Sequence, residues 1–96
     1  MKFEWDEPKK ISNLEKHGIS FEEAKTIFDN PLAVVFDDPY HSIGEIREIM
    51  IGHSSQNQLL MVAFTERSGV IRIVSARLAN RREANDYERN RFGTCL

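Results

Sequence analysis

The sequence predicts an α+β domain in which helices are segregated around one antiparallel sheet. Residues 6–30 have helical spacing and two helix-start signals, whereas four later segments are short apolar or alternating runs of the kind found in strands. Helical spacing returns after Arg77. The order is therefore helix, helix, three to four antiparallel strands and a C-terminal helix.

The first predicted helix begins at Asp6, whose side chain suits an N-cap, and ends at Gly18, which suits the left-handed position after a helix. Ile11 and Leu14 supply its apolar stripe. Two aromatic residues with period-two spacing come before it and predict a short strand or extended arm with both rings in the core: Phe3 and Trp5.

A capping box at Ser20 and Glu23 starts the second predicted helix, and Pro31 ends it because the residue before a proline resists helical dihedrals. Three of its apolar residues are expected to face inward: Ala24, Ile27 and Phe28.

The remaining segments predict strands at residues 32–36, 46–52, 59–65 and 70–77, with a polar loop at 40–44 and a hairpin loop at 66–69. A second capping box, Asn80 to Glu83, starts a helix that runs to about Arg91.

The length of 96 residues fits one domain with a modest core. The net charge of −2 hides an asymmetry: residues 1–66 carry six basic and twelve acidic side chains, and residues 67–96 carry seven and three. A basic C-terminal third can contact a polyanion locally, although a solvated helix face with scattered salt bridges is an equal alternative.

The lone Cys95 has no disulfide partner, the N-terminus is acidic where a signal peptide would be apolar, and no apolar run reaches bilayer length. We therefore expect a cytoplasmic protein that does not contact a membrane.

Arginines concentrate where the last strand meets the last helix. Arg72 and Arg77 come from the strand, and Arg81 and Arg82 open the helix. Planar guanidinium groups at this density are typical of phosphate binding or of an acidic partner. The odd separation of Arg72 and Arg77 places them on opposite faces of a regular strand.

Several motifs occur in an order that resembles the BrnT family, the toxins of a type II bacterial toxin–antitoxin pair. The ordered set spans residues 3–88 and consists of Phe3-Glu-Trp-Asp6, Lys9, Lys16-His-Gly18 with Ser-Phe-Glu-Glu, Asp-Asn-Pro31, Arg47, Ile51-Gly52, Ile71-Arg-Ile-Val-Ser-Ala-Arg77, Arg81-Arg-Glu83 and Tyr87.

The resemblance implies a RelE-like fold and a ribonuclease that inhibits translation. It also implies a cognate BrnA-like antitoxin with a ribbon-helix-helix domain. The toxin and the antitoxin form a complex that represses its own operon, and this complex contacts operator DNA only through the antitoxin. RNA cleavage in RelE-like proteins needs no metal or other cofactor: a ribose 2′-OH attacks the adjacent phosphate. Such a reaction requires a base, an acid and preorganised positive charge.

The residues themselves disfavour metal or nucleophile chemistry, because His17, His41 and His53 lack metal-ligand spacing and Cys95 lies in the tail. At the end of the first helix, His17 is interpreted as a structural cap.

Arg77 is the strongest catalytic candidate, as a phosphate clamp at a strand end that leads into a helix N-terminus. Its alternative is a structural ion pair with Glu45 or Glu48. Glu66 and Arg67 in the hairpin supply a candidate base and a second cation, or are ordinary solvated charges.

Lys9 is a candidate base on the strength of the resemblance, although a solvated helix lysine is the simpler interpretation. His53 follows a strand and can transfer protons, or is incidental. Three arginines are assigned to RNA binding: Arg72, Arg81 and Arg82.

Two other functions remain open at this point. One is a non-catalytic co-repressor module with the same fold and antitoxin. The other is an oligomerisation domain whose arginines bind an acidic peptide. For the toxin, charge complementarity predicts that the antitoxin covers residues 67–82 with an acidic or amphipathic segment.

Overall fold

The computed structural model describes residues 1–38 and 45–91, and the predicted loop at 40–44 and Cys95 lie outside them. The described residues form a five-stranded sheet with helices packed on both faces. The elements are β1 (Lys2–Glu4), α1 (Glu7–His17), α2 (Phe21–Lys25) with a 3₁₀ turn (Thr26–Asp29), β2 (Val34–Asp37), β3 (Arg47–His53), β4 (Leu59–Arg67), β5 (Val70–Leu78) and α3 (Arg81–Arg91). None of these helices has the length and apolar character needed to cross a bilayer.

The helix ends form where the local sequence predicts them. Asp6 accepts a hydrogen bond from the Lys9 N–H at 3.1 Å, and Ser20 accepts one from the Glu23 N–H at 3.0 Å. Gly18 adopts φ 72°, the left-handed conformation that ends α1. These contacts confirm the capping predictions. Such signals are readable from the sequence because each acts over only a few residues.

The sheet differs from the prediction of three to four antiparallel strands. Its order is β1-β5-β4-β3-β2, and β1 pairs in parallel with β5 while the other neighbours are antiparallel. The sheet is thus mixed and has five strands. The three residues of β1 pair with residues 70–72 near the other end of the chain, and periodicity does not reveal such a distant partner.

The larger core lies on the face of the sheet that is covered by α2 and the 3₁₀ turn, which is called the helical face here. Leu60, Val62, Phe64, Ile71, Ile73 and Ala76 pack there against Phe21, Ala24 and Ile27. The predicted inward positions of α2 are confirmed, and Phe28 packs at the edge of this core. So do the rings of Phe3 and Trp5, which meet Phe28 and Phe21 at 5.1 and 5.9 Å.

The expected stripe of α1 is wrong, because Ile11 and Leu14 are 57% and 49% exposed. The residue that α1 buries is Asn13. Its side-chain amide accepts from the Ala76 N–H at 3.0 Å and donates to the Ala76 and Ile19 carbonyl oxygens at 2.8 and 2.9 Å. Asn13 therefore satisfies the edge of β5 beyond the three residues that β1 covers.

We expect Asn13→Ala to lower the free energy of unfolding by about 2 to 4 kcal/mol, because it leaves buried backbone groups without partners. Denaturant unfolding measures the loss, with the exposed neighbour Ser12→Ala as the control, expected to change stability by less than about 0.5 kcal/mol. A loss below about 1 kcal/mol for Asn13→Ala would show that water replaces the amide without penalty.

The other face of the sheet carries α3 over β2 and β3. Tyr87 is 1% exposed and anchors the helix against Ile51 and Met61, with Ile49 and Phe36 packed around them. Nearer the hairpin, the same face carries Arg47, Thr65, Arg67 and Arg72.

Candidate functional site

A β-bulge in β5 brings Arg72 and Arg77 to the same face. Phe64 pairs with Ile73 and Ala63 with Ser75, so Val74 is an extra residue on β5. Directly opposed residues share a face, and the partners of Arg72 and Arg77 are four positions apart on β4. The prediction of opposite faces is wrong because the bulge shifts the alternation by one residue.

The arginine face is defined here as the sheet surface that carries Arg47, Arg67, Arg72 and Arg77, the same face on which α3 lies. Arg47 opposes Thr65, which in turn opposes Arg72, so the two arginines flank one threonine across three strands. At ~4.8 Å between strands, their backbones are roughly 10 Å apart. Arg67 lies diagonally from Arg72, at about 7 to 8 Å. The fold thus gathers guanidinium groups that the sequence distributes over thirty residues.

Arg77 forms a two-pronged ion pair with Glu83 from the first turn of α3. The nitrogen–oxygen distances are 2.8 and 2.7 Å, and Arg77 also donates to the Leu78 carbonyl oxygen at 3.2 Å. The partner is therefore Glu83, and the predicted pairing with Glu45 or Glu48 is wrong. The same carboxylate accepts from the Asn80 N–H at 2.9 Å and completes the predicted capping box.

Opposing influences act on the Glu83 carboxyl. Burial raises its pKa, but the hydrogen bonds from Arg77 and Asn80 and the charge of Arg77 outweigh burial and hold the pKa below its ordinary value. The carboxylate is therefore ionised, and it orients the guanidinium across the strand-to-helix junction.

Two more ion pairs line an open cleft of about 420 Å³ at the hairpin end of the arginine face. Arg72 pairs with Glu4 of β1 at 3.0 Å, and Arg67 pairs with Glu45, which precedes β3. Thr65 lies on β4, between Arg47 of β3 and Arg72 of β5. It is only 6% exposed and also lines the cleft.

A second groove, of about 250 Å³, runs between α1 and the bulged edge of β5. Lys9, Lys16 and His17 line it together with Ser75, which lies on the arginine face. Sequence reasoning assigned His17 to a helix cap and missed this groove. The available signal was the i, i+3, i+7 spacing of Lys9, Ser12 and Lys16, which places them on one side of α1.

The structure does not bring the predicted catalytic residues into one cluster. Arg67 and Arg77 lie on the arginine face and Lys9 lies at its border. Glu66 pairs with Ile71 and therefore belongs to the helical face. It is also part of β4, because the hairpin turn consists of Ser68 and Gly69, with φ 53° and 81°.

His53 lies on the arginine face but at the end far from the hairpin. It pairs with Leu59, eight residues along β4 from Arg67, which corresponds to roughly 27 Å. Its ring packs edge-on against Tyr87 at 5.7 Å.

Arg81 and Arg82, assigned to RNA binding, are exposed at the start of α3. Arg82 borders a different groove that contains Asp37, Asp38 and Asp86. Within residues 1–38 and 45–91, no three His, Cys, Asp or Glu side chains meet closely enough to hold a metal ion.

The fold and the arginine face define a small α+β protein with a sheet surface rich in arginines, three of which are paired with glutamates. A family model described as "Ribonuclease toxin, BrnT, of type II toxin-antitoxin system" matches residues 5–83. The chain belongs to the BrnT family, which confirms the resemblance, and a type II toxin has an antitoxin as its partner.

A solved structure agrees with this assignment. The 1.1 Å crystal structure of the Brucella abortus ribonuclease toxin BrnT superposes with a TM-score of 0.66 and 27% identity. The match covers 84% of this chain and 99% of the Brucella chain. No curated protein sequence matches the chain.

Proposed function

We propose that this ribonuclease toxin is a metal-independent endoribonuclease that inhibits translation, and that its RNA substrate lies across the arginine face. The observation that carries the proposal is the gathering of Arg47, Arg67, Arg72 and Arg77 on one side of three adjacent strands. A guanidinium group can donate two parallel hydrogen bonds to two phosphate oxygens. Guanidinium groups held in fixed positions on strands can also stabilise the negative charge that develops on the phosphate in the transition state.

The reaction begins when a ribose 2′-OH loses its proton to a base and attacks the adjacent phosphorus. A P–O bond forms, the bond to the 5′ oxygen of the next nucleotide breaks, and an acid protonates that oxygen. The products carry a 2′,3′-cyclic phosphate and a 5′-OH. Arg77 stabilises the negative charge on the phosphate oxygens of the reacting group, and Arg72 and Arg67 supply positive charge further along the RNA backbone.

Proton transfer is assigned to the groove beside β5. Glu66 belongs to the helical face, and His53 lies on the arginine face with its ring packed against Tyr87. Lys9 borders the arginine face through its shared groove with Ser75, and this groove also holds a second proton-transfer group, His17. The Lys9 ammonium is suited to protonate the leaving oxygen, and the His17 imidazole in the same groove is suited to accept the 2′-OH proton.

The proposed partner is a BrnA-like antitoxin with a ribbon-helix-helix domain, encountered in the cytoplasm. An acidic or amphipathic segment of the antitoxin that covers residues 67–82 would block the RNA surface directly. In the complex, the antitoxin supplies the contacts to operator DNA and the toxin acts as co-repressor.

Cleavage of a long single-stranded RNA by the purified chain, in low salt with excess chelator, tests the proposed function. We expect fragments with cyclic-phosphate ends. If the folded chain leaves both free RNA and ribosome-bound RNA intact, the non-catalytic co-repressor becomes the better account.

A further inference from the structure

The cleft at the hairpin end of the arginine face contains two arginine–glutamate ion pairs. Each of its two arginines is held by a glutamate from another part of the chain: Arg72 by Glu4 and Arg67 by Glu45. These pairs are open to solvent, with side-chain exposures of 44% and 53% in the first and 78% and 40% in the second. Ion pairs this exposed contribute little to folding stability.

A carboxylate and a phosphate diester present similar oxygen pairs to a guanidinium group. Each glutamate therefore occupies the position that a phosphate would take at the same arginine. Thr65 and Ser68 line the cleft beside the arginines and add hydroxyl groups, which also bind phosphate oxygens.

We propose that this cleft is a phosphate subsite for single-stranded RNA, in which Glu4 and Glu45 hold the places of two phosphates and compete with them. This inference rests on the proposed function and deepens it. Binding exchanges a carboxylate for a phosphate at Arg72 and at Arg67. Because the two arginines stand about 7 to 8 Å apart on the sheet, a polyanion that reaches both displaces both carboxylates together.

The test measures binding separately from cleavage. The probe is a short oligoribonucleotide with 2′-O-methyl groups throughout, which cannot undergo 2′-OH attack. We expect Glu4→Gln and Glu45→Gln each to tighten its binding about two- to five-fold, the range that corresponds to an exposed ion pair. Glu15→Gln is the matched control, because it removes the same charge from an exposed position on α1 away from the cleft.

A double-mutant cycle identifies the route of the effect. In an Arg67→Ala background we expect Glu45→Gln to give no more gain than Glu15→Gln, and the same holds for Glu4→Gln in an Arg72→Ala background. Each arginine substitution alone should reduce the slope of log affinity against log salt by about 0.7, the value for one phosphate of a single strand. If the glutamine substitution still tightens RNA binding after the arginine is removed, the glutamate does not compete with a phosphate at that arginine. The gain in affinity then reflects only the loss of one negative charge, and the proposal is overturned.

Cleavage of the unmodified oligoribonucleotide is measured beside the binding. Cleavage by the wild-type chain without tighter binding by the glutamine variants overturns the subsite and leaves the proposed function standing. Failure of every variant to bind or cleave RNA overturns both. If the glutamine variants bind the antitoxin more tightly and RNA no better, the cleft is a protein interface and the subsite is wrong.

Discussion

Arg77→Ala is expected to lower the rate of RNA cleavage at least about 100-fold, the usual effect of removing one fixed donor from a developing oxyanion. Glu83 and the Leu78 carbonyl hold the guanidinium in place before the substrate arrives, so little reorganisation is needed during the reaction. Initial rates on a single-stranded RNA with chelator present measure the loss.

Glu83→Gln is the matched control, because it weakens the same ion pair and leaves the guanidinium in the site. We expect it to retain most of the activity, whereas Arg77→Lys should lose most of it since an ammonium lacks the planar fork. Equal losses in Arg77→Ala and Glu83→Gln, with equal losses of stability, would mean that Arg77 serves the strand-to-helix junction only.

Tyr87→Ala is expected to reduce the free energy of unfolding by about 3 to 5 kcal/mol, as for other buried aromatic residues. Tyr87 is the largest fully buried side chain described, and it fixes α3 to Ile51 and Met61. Small domains are stable by only about 5 to 15 kcal/mol, so the variant approaches the threshold for folding.

Denaturant unfolding measures this effect, with Tyr87→Phe as the control that keeps the packed ring and loses far less. Because α3 carries Glu83, we also expect hydrogen exchange in the first turn of α3 to accelerate in Tyr87→Ala. A loss below about 1 kcal/mol would contradict the anchoring role, since it would mean that the cavity collapses without cost.

Local features of the fold follow from the sequence. Asp6, Ser20 and the Asn80–Glu83 box are recognisable because a cap and its target lie within three residues. The hairpin between β4 and β5 is similarly marked by Gly69. For the same reason, the arginine-rich strand-to-helix junction could be identified before its geometry was known.

Features that depend on distant contacts could not be predicted. The bulge at Val74 decides the face of Arg77, but its position is set by pairing with β4. The exposure of Ile11 and Leu14 follows from Asn13 turning toward the edge of β5. Sequence spacing also gives no sign that Glu4 meets Arg72 across nearly the whole chain.

RNA binding to the arginine face can be followed through the side-chain Nε–H signals of the arginines in an NMR titration. The probe is the 2′-O-methyl oligoribonucleotide, added to the wild-type chain at low salt. We predict that the signals of Arg47, Arg67, Arg72 and Arg77 shift together with one affinity, whereas that of Arg89, which pairs with Asp86 along α3, stays nearly unchanged. Shifts confined to Arg81, Arg82 and Arg89, with the four sheet arginines unaffected, would place the RNA on α3 and rule out the arginine face as its binding surface.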